Sequence, residues 1–313
     1  FQKYKNVKSN LIVGERRTDD IFISILIPTF NRTLFLEEAV ESAINQTFKI
    51  KDYEIIIVDN NPNPTPEIDK MISNKKIENI FYYKNEKNIG MIGNWNRCIE
   101  LSKGKWITFL HDDDLFTCNY LKQINTFIQK YTSTFLVAPN AQIIQMDVQG
   151  NVKKDLALPK DVNKYYKLKV SDFYFGNPTP TQGTLFQREK AIELGGYSEK
   201  WFPGMDWVFF INYVNNFGGI KILNNLVVYR KHAGSESLDV NTQRKISSIT
   251  TTIKLGLLAS VNIPKFLLYN YILLEEESKT LKKTDLKKIF FKITTVVLTK
   301  FRSFYIHLRM KNQ

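Results

Sequence analysis

Two spacings of hydrophobic positions alternate along most of the chain. Short continuous apolar runs stand between stretches whose apolar residues recur every three or four positions. Runs of this length, rich in branched and aromatic residues and bounded by Pro, Asn or Gly, predict strands covered on both faces. The first is Ile21–Ile27, which Pro28 is expected to end because proline has no ladder donor. A helix follows, with Thr33 as its cap, Glu37 and Glu38 in its first turn, and Leu34, Ala39, Val40, Ala43 and Ile44 on its apolar side. Glu54–Val58 is the second strand, with Asp59 at its carboxyl end and the turn-rich Asn60-Asn61-Pro62-Asn63-Pro64 beyond it. A helix around 66–74, a strand at Ile80–Tyr83, a helix from the Asn88-Ile89-Gly90 region to near Gly104, and a strand at Trp106–Leu110 complete the series. Strand and helix alternating in this way predict a parallel α/β sheet with right-handed crossovers.

The second half is less regular. Residues 135–138 and 143–144 read as a strand or a bent pair, and Asp147-Val148-Gln149-Gly150-Asn151 as a turn. Tyr165, Tyr166, Phe173, Tyr174 and Phe175 make an aromatic segment; sugar faces stack on such rings, although buried aromatics are commoner. A helix stops at Gly195-Gly196, another spans Trp207–Phe217, and strands are expected at 220–223 and 226–229. Residues 1–20 are polar, show no period, and read as an arm packed on the outside or partly disordered. Beyond residue 240, helical apolar spacing returns at 246–258, 266–274 and 281–308.

Composition is that of a globular protein, with 43% hydrophobic and 24% charged residues in 313. Charge changes the picture more. The net charge is +13, yet residues 279–313 alone hold eight Lys, two Arg and one acid, Asp285. No uncharged apolar run there reaches the ~18–20 residues of a spanning helix. A basic amphipathic helix lying on an anionic membrane fits this tail, with a helix packed on the main domain or a dimer contact as alternatives. Cys98 and Cys118 have no metal spacing and need no disulfide framework, which points to a reducing compartment. No signal peptide is visible.

The candidate chemistry centres on Phe109-Leu110-His111-Asp112-Asp113-Asp114, three consecutive carboxylates at the carboxyl end of a strand. That rim of an open α/β sheet is where ligands bind. Like charges so close favour a shared cation, and oxygen ligands suit Mg²⁺ or Mn²⁺. A solvated acidic turn before a helix near Thr117 is the plain alternative. The chain lacks Gly-x-Gly-x-x-Gly after its first strand and has no P-loop, so a dinucleotide site is not supported.

Four motifs in order, Ile27-Pro28-Thr29-Phe30-Asn31-Arg32, Ile57-Val58-Asp59-Asn60, Asn88-Ile89-Gly90 with Asn94-Trp95-Asn96, and Phe109 to Asp114, resemble a family 2 glycosyltransferase of the GT-A fold. The resemblance covers roughly residues 21–235. It implies an α/β fold with a mostly parallel central sheet flanked by helices, plus a C-terminal helical extension. The expected domains are an arm at 1–20, a catalytic domain at 21–240 (a nucleotide-sugar half, 21–115, and an acceptor half, 116–240), and a helical basic region at 241–313. It further implies a nucleotide-sugar donor, with Asp59 on the uracil, and Pro28, Thr29, Asn31, Arg32, Asn88, Asn94, Asn96 and Asp112 lining the nucleotide. Asp113 would be the principal metal ligand, with Asp112 and Asp114 in support and His232 as a further ligand or diphosphate donor. Arg230 and Lys231 would face the diphosphate. Gln182, Gly183, Trp201 and Trp207 would lie near the acceptor and donor sugar, and Asp206 would match the catalytic base, with Met205 where the family has a glutamate. Trp95 reads as core.

The implied reaction is a metal-dependent, inverting sugar transfer, with Mn²⁺ or Mg²⁺, to a glycan or polyprenyl-linked acceptor in surface polysaccharide synthesis. The place implied is the cytoplasm, at the inner face of the membrane, with an oligomer open. Two rivals remain at this stage. A sugar-phosphate nucleotidyltransferase would use the same ingredients, but residues 28–32 lack its Gly-rich loop. A non-catalytic nucleic-acid or membrane binder would explain the basic tail, but not the acidic cluster, and no nucleic-acid motif is present.

Overall fold

The structure, a computed structural model, describes residues 1–16, 20–33, 35–145 and 164–232. In chain order it contains β1 (Ser9–Val13), β2 (Ile23–Thr29), α1 (Leu36–Ile44), β3 (Tyr53–Asp59), α2 (Pro66–Asn74), β4 (Ile80–Asn85), α3 (Gly90–Leu101) and β5 (Trp106–Phe109). There follow β6 (Leu115–Phe116), α4 (Tyr120–Lys130), β7 (Leu136–Gln145), β8 (Tyr165–Lys167), β9 (Leu185–Gln187), α5 (Arg188–Glu193), α6 (Met205–Phe217) and β10 (Ile220–Lys231). The strands form one sheet in the order β1-β4-β3-β2-β5-β9-β7-β10-β6, with β8 on β10. Neighbours from β4 to β5 run parallel, as do β7 and β10, while β9, β6, β8 and β1 pair antiparallel.

The continuous apolar runs are explained by two cores, one on each face. Ile23, Ile25 and Ile27 of β2, with Ile55 and Ile57 of β3, pack with residues of α1, α2 and α4. Leu26, Ile56 and Val58 face the other way, against residues of α3 and α6. A strand buried on both sides has no polar face to alternate with.

Several expectations change. Pro28 does not end β2, which continues to Thr29. The neighbouring β5 accompanies β2 only as far as Leu26, so no ladder donor is required at Pro28 on that side. Thr33 does not cap α1, which starts at Leu36 with Phe35 in the cap position and no side-chain cap bond. Phe35 is held from outside the helix: the Arg230 guanidinium lies 4.9 Å from its ring centroid and donates to its carbonyl at 3.3 Å. The two strands expected at 220–223 and 226–229 are one, Ile220–Lys231, and Asn225 marks a register shift inside it. Residues 136–145 are likewise one strand. The arm contributes an unexpected element, β1, as an antiparallel edge strand on β4. Leu34, the turn expected at 147–151 and the helices expected beyond residue 240 lie outside the described residues.

Candidate active site

Because β2, β3 and β5 are parallel, their carboxyl ends meet at one rim, and loops from the antiparallel half close over it. There a cleft of about 530 Å³ is lined by Pro28, Thr29, Phe30 and Arg32 after β2, Asn60 after β3, and Asn88, Gly90, Met91, Asn94 and Trp95 around the start of α3. His111, Asp112 and Asp113 line it after β5, and Thr181, Gln182, Phe202, Pro203, Met205, Asp206 and Tyr229 complete the wall.

The acidic loop is anchored at both ends. Leu110 N donates to Leu26 O at 2.9 Å, and β6, directly after the loop, pairs with β10. Each carboxylate has its own surroundings. Asp112 accepts from Thr29 Oγ1 at 2.8 Å and from Arg32 Nη1 at 3.2 Å. Burial pushes its carboxyl up to about 6 against the opposing pull of Arg32. Asp113 pairs with Arg32 and lies 3.2 Å from His232 Nε2. Burial alone would raise the Asp113 carboxyl, but His111, Arg32 and His232 outweigh it and hold it below the ordinary range. Asp114 is fully buried and accepts from Arg230 N at 3.0 Å. Burial raises its carboxyl despite His111.

His111, which sequence reasoning gave no role, completes this loop. Its ring stacks on Trp95 with centroids 5.2 Å apart, and its Nδ1 is 3.5 Å from Asp114 Oδ2. Ligand atoms of His111, Asp113 and Asp114 lie within 4.8 Å of one another. His111 Nε2 and Asp114 Oδ2 are buried without a hydrogen bond. A nitrogen and a carboxylate oxygen left in this state, with the Asp113 carboxylate beside them, fit a divalent cation such as Mn²⁺ or Mg²⁺. Asp112 stands outside the group, since Thr29 and Arg32 take both its oxygens. His232 is not one of the three either; it touches Asp113 and packs on Phe35 at 4.7 Å.

Asp206 occupies the first turn of α6 and lines the same cleft. Its Oδ2 accepts from Asn177 Nδ2 at 3.1 Å and from Thr181 Oγ1 at 3.4 Å. Asn177 is itself oriented by Thr179, whose N and Oγ1 donate to its oxygen at 3.0 and 2.7 Å. Burial raises the Asp206 carboxyl, and the Trp207 N–H, Thr181 and His111 only partly oppose it. Desolvation outweighs these groups, which makes Asp206 a better proton acceptor than a solvated aspartate.

Other expected site residues are placed differently. Asp59 does not line the cleft: it is fully buried, accepting from Asn61 N at 2.9 Å, Thr65 Oγ1 at 3.1 Å and Tyr82 Oη at 3.2 Å, with Lys84 Nζ at 3.5 Å. Its neighbour Asn60 lines the cleft instead, donating to Asn88 Oδ1 at 2.8 Å and accepting from Ile89 N at 3.0 Å. Asn94 reaches the wall but ties Asn85 to Val58 O, at 2.9 and 3.0 Å. Asn96 is turned to Tyr197, bonding both its N and its O at 2.8 Å. Asn31, at φ 55°, turns the chain after β2 and accepts from Asn61. Arg230 is 1% exposed and donates to Glu38, Asp113 O and Phe35 O, which leaves the diphosphate role without support. Lys231, in register with Gln145, is not part of the lining. Trp207 and Trp201 pack in the core around α6 while Phe202 and Pro203 face the cleft. Gln182 lines the cleft, and Gly183 backs it against Val227. Of the aromatic segment, Tyr166 and Phe173 are core and Tyr165 packs against the other core, and none of the three lines the cleft.

A mixed, mostly parallel sheet with acids and a helix-borne carboxylate around one rim cleft defines the GT-A class of sugar transferases. The sequence model of glycosyl transferase family 2 matches residues 24–194, more than half of the chain, and the chain belongs to that family of glycosyltransferases. Among curated relatives, an uncharacterised glycosyltransferase of Methanocaldococcus jannaschii is 28% identical over 70% of this chain and 73% of its own. A GalNAc(5)-diNAcBac-PP-undecaprenol β-1,3-glucosyltransferase of Campylobacter jejuni is 31% identical over 58% of this chain and 56% of its own. Staphylococcus aureus TarS 1–349 in complex with UDP-GlcNAc superimposes with a TM-score of 0.58 at 15% identity, covering 86% of this chain and 77% of that one. A Pyrobaculum calidifontis mannosyltransferase in complex with GDP-Man and Mn²⁺ gives 0.57 at 12%, covering 93% and 85%. At such identities the structural likeness speaks for the fold. No helix among the described residues is long and apolar enough to cross a membrane.

Proposed function

We propose that this chain transfers a sugar from a nucleotide-diphospho-sugar, a UDP-sugar first among them, to a hydroxyl of a glycan or lipid-linked acceptor, with inversion at the anomeric carbon. The observation that carries this reading is that Asp206 and the His111–Asp113 loop line one cleft. A buried carboxylate with a raised pKa suits the removal of a proton from an attacking hydroxyl. Asn177 and Thr181 hold the Asp206 oxygen they touch and so fix the carboxylate in the cleft wall. Arg32, beside Asp112 and Asp113, favours their ionised forms against the effect of burial. His111, Asp113 and Asp114 would hold a divalent cation, which when bound offsets charge growing on a departing diphosphate.

The donor is supported by the UDP-GlcNAc held by a protein of the same fold, and the lipid-linked acceptor by the Campylobacter relative. The basic stretch 281–313 would bring the enzyme to a membrane carrying such an acceptor. The deciding experiment is a panel of nucleotide-sugars tested for Mn²⁺-dependent hydrolysis, with the product's configuration read by proton NMR. Metal-dependent release of a sugar with inverted configuration is expected. Retention would overturn the mechanism, and hydrolysis of no donor would overturn the reading.

A further inference from the structure

We propose that the N-terminal arm is a positioning element for the strap 196–206, which it clamps against α3 so that Asp206 is held at the cleft. The arm precedes residue 24, where the family match begins, so family membership assigns it nothing.

Two aromatic rings of the arm sit on two glycines. A Cβ on Gly93 of α3 would come within 2.8 Å of the Tyr4 ring. A Cβ on Gly196, at φ +72°, would come within 2.8 Å of the Phe1 ring. Between these seats, Tyr4 Oη donates to Glu199 at 2.9 Å and Lys3 pairs with the same carboxylate. That ion pair is exposed and contributes little alone; the seated rings fix where it forms. Buried Arg97 holds the arm from α3, donating to Tyr4 O at 2.9 Å and Val7 O at 2.8 Å. One residue before it, Asn96 holds the strap through Tyr197. One turn of α3 therefore grips both segments.

The path from this clamp to the base is short and stiff. Phe202 N donates to Glu199 O at 3.1 Å, Gly204 N to Trp201 O at 2.7 Å, and Val208 N to Gly204 O at 3.2 Å. Phe202 and Pro203 already face the cleft, and Asp206 follows in the first turn of α6. A shift at Glu199 is thus passed along successive backbone hydrogen bonds to the carboxylate.

The inference rests on Asp206 as the base, but its test does not need turnover. The full chain is compared with Tyr4→Ala, Tyr4→Phe and Gly93→Ala by backbone hydrogen exchange, thermal melting and UDP binding in Mn²⁺. Gly93→Ala displaces the Tyr4 ring while favouring the helix. Both Tyr4→Ala and Gly93→Ala should speed exchange of the 197–206 amides by about tenfold or more. Exchange at β2 and β3, the melting temperature and UDP affinity should stay close to the unaltered chain. Tyr4→Phe, which keeps the ring, should recover most of the protection. Unchanged exchange in the strap overturns the proposal, and so does an equal loss across β2 and β3, which would make the arm general scaffold. Failure of the unaltered chain to bind UDP counts against the functional reading alone, because the exchange comparison needs no ligand.

Discussion

Replacing Asp206 with Asn separates proton removal from folding. The carboxylate oxygen that accepts from Asn177 and Thr181 has a counterpart in the amide oxygen of Asn, so both bonds at 3.1 and 3.4 Å can persist. The volume is unchanged and the cleft keeps its wall. What disappears is the capacity to take a proton, a contribution of about 10²–10⁴ in rate, or about 3–5 kcal/mol of barrier. Stability should move the other way. Burial raises the Asp206 pKa, so the protonated form is favoured on folding. That stabilisation is complete below the ordinary value of 3.8 and is lost as pH rises through the raised value. An amide never ionises, so the variant should melt above the unaltered chain at pH 7 and level with it at pH 4. Transfer rates and melting curves at both pH values check this. Turnover within tenfold of the unaltered enzyme refutes the base assignment. A lost rate with a lower melting temperature at pH 7 refutes the argument that only proton removal was touched.

Mn²⁺ added to the chelator-treated chain should raise its melting temperature, more at pH 7 than at pH 5. The pKa of Asp112 is pushed up to about 6 and that of Asp114 is raised, so the acidic loop loses charge as pH falls; no shift at either pH refutes the metal site. Arg230→Met should cost about 2–3 kcal/mol in denaturant melts, because Asp113 O and Phe35 O lose their donor; a normal melt with a raised donor KM would restore the diphosphate role. Asn177→Ala frees Asp206 Oδ2 of its amide partner and should lower kcat about tenfold with donor KM unchanged. Deleting 281–313 should abolish binding to anionic liposomes in a sedimentation assay; unchanged binding refutes the membrane role of the tail.

Local pattern was sufficient for much of the nucleotide half. The runs at 54–58 and 106–110 became β3 and β5 because a strand covered on both faces must be apolar at every position, and α2 fills the helix expected around 66–74. The acidic loop at the carboxyl end of β5 and Asp206 at a helix start were likewise legible, the first from the apolar run before it and the second from the helical spacing after it. Partnership was not legible. Asp59 and Arg230 look in sequence like free ligand-binding groups, yet Lys84 pairs with the first while Tyr82 donates to it, and Glu38, Phe35 and Asp113 occupy the other. Asn96 binds a backbone 101 positions away, and Asn177 reaches Asp206 from 29. Periodicity reports which face a residue takes within its own element. Which charge is spent inside and which is left in the cleft depends on what long-range packing brings beside it, and only the folded chain decides that.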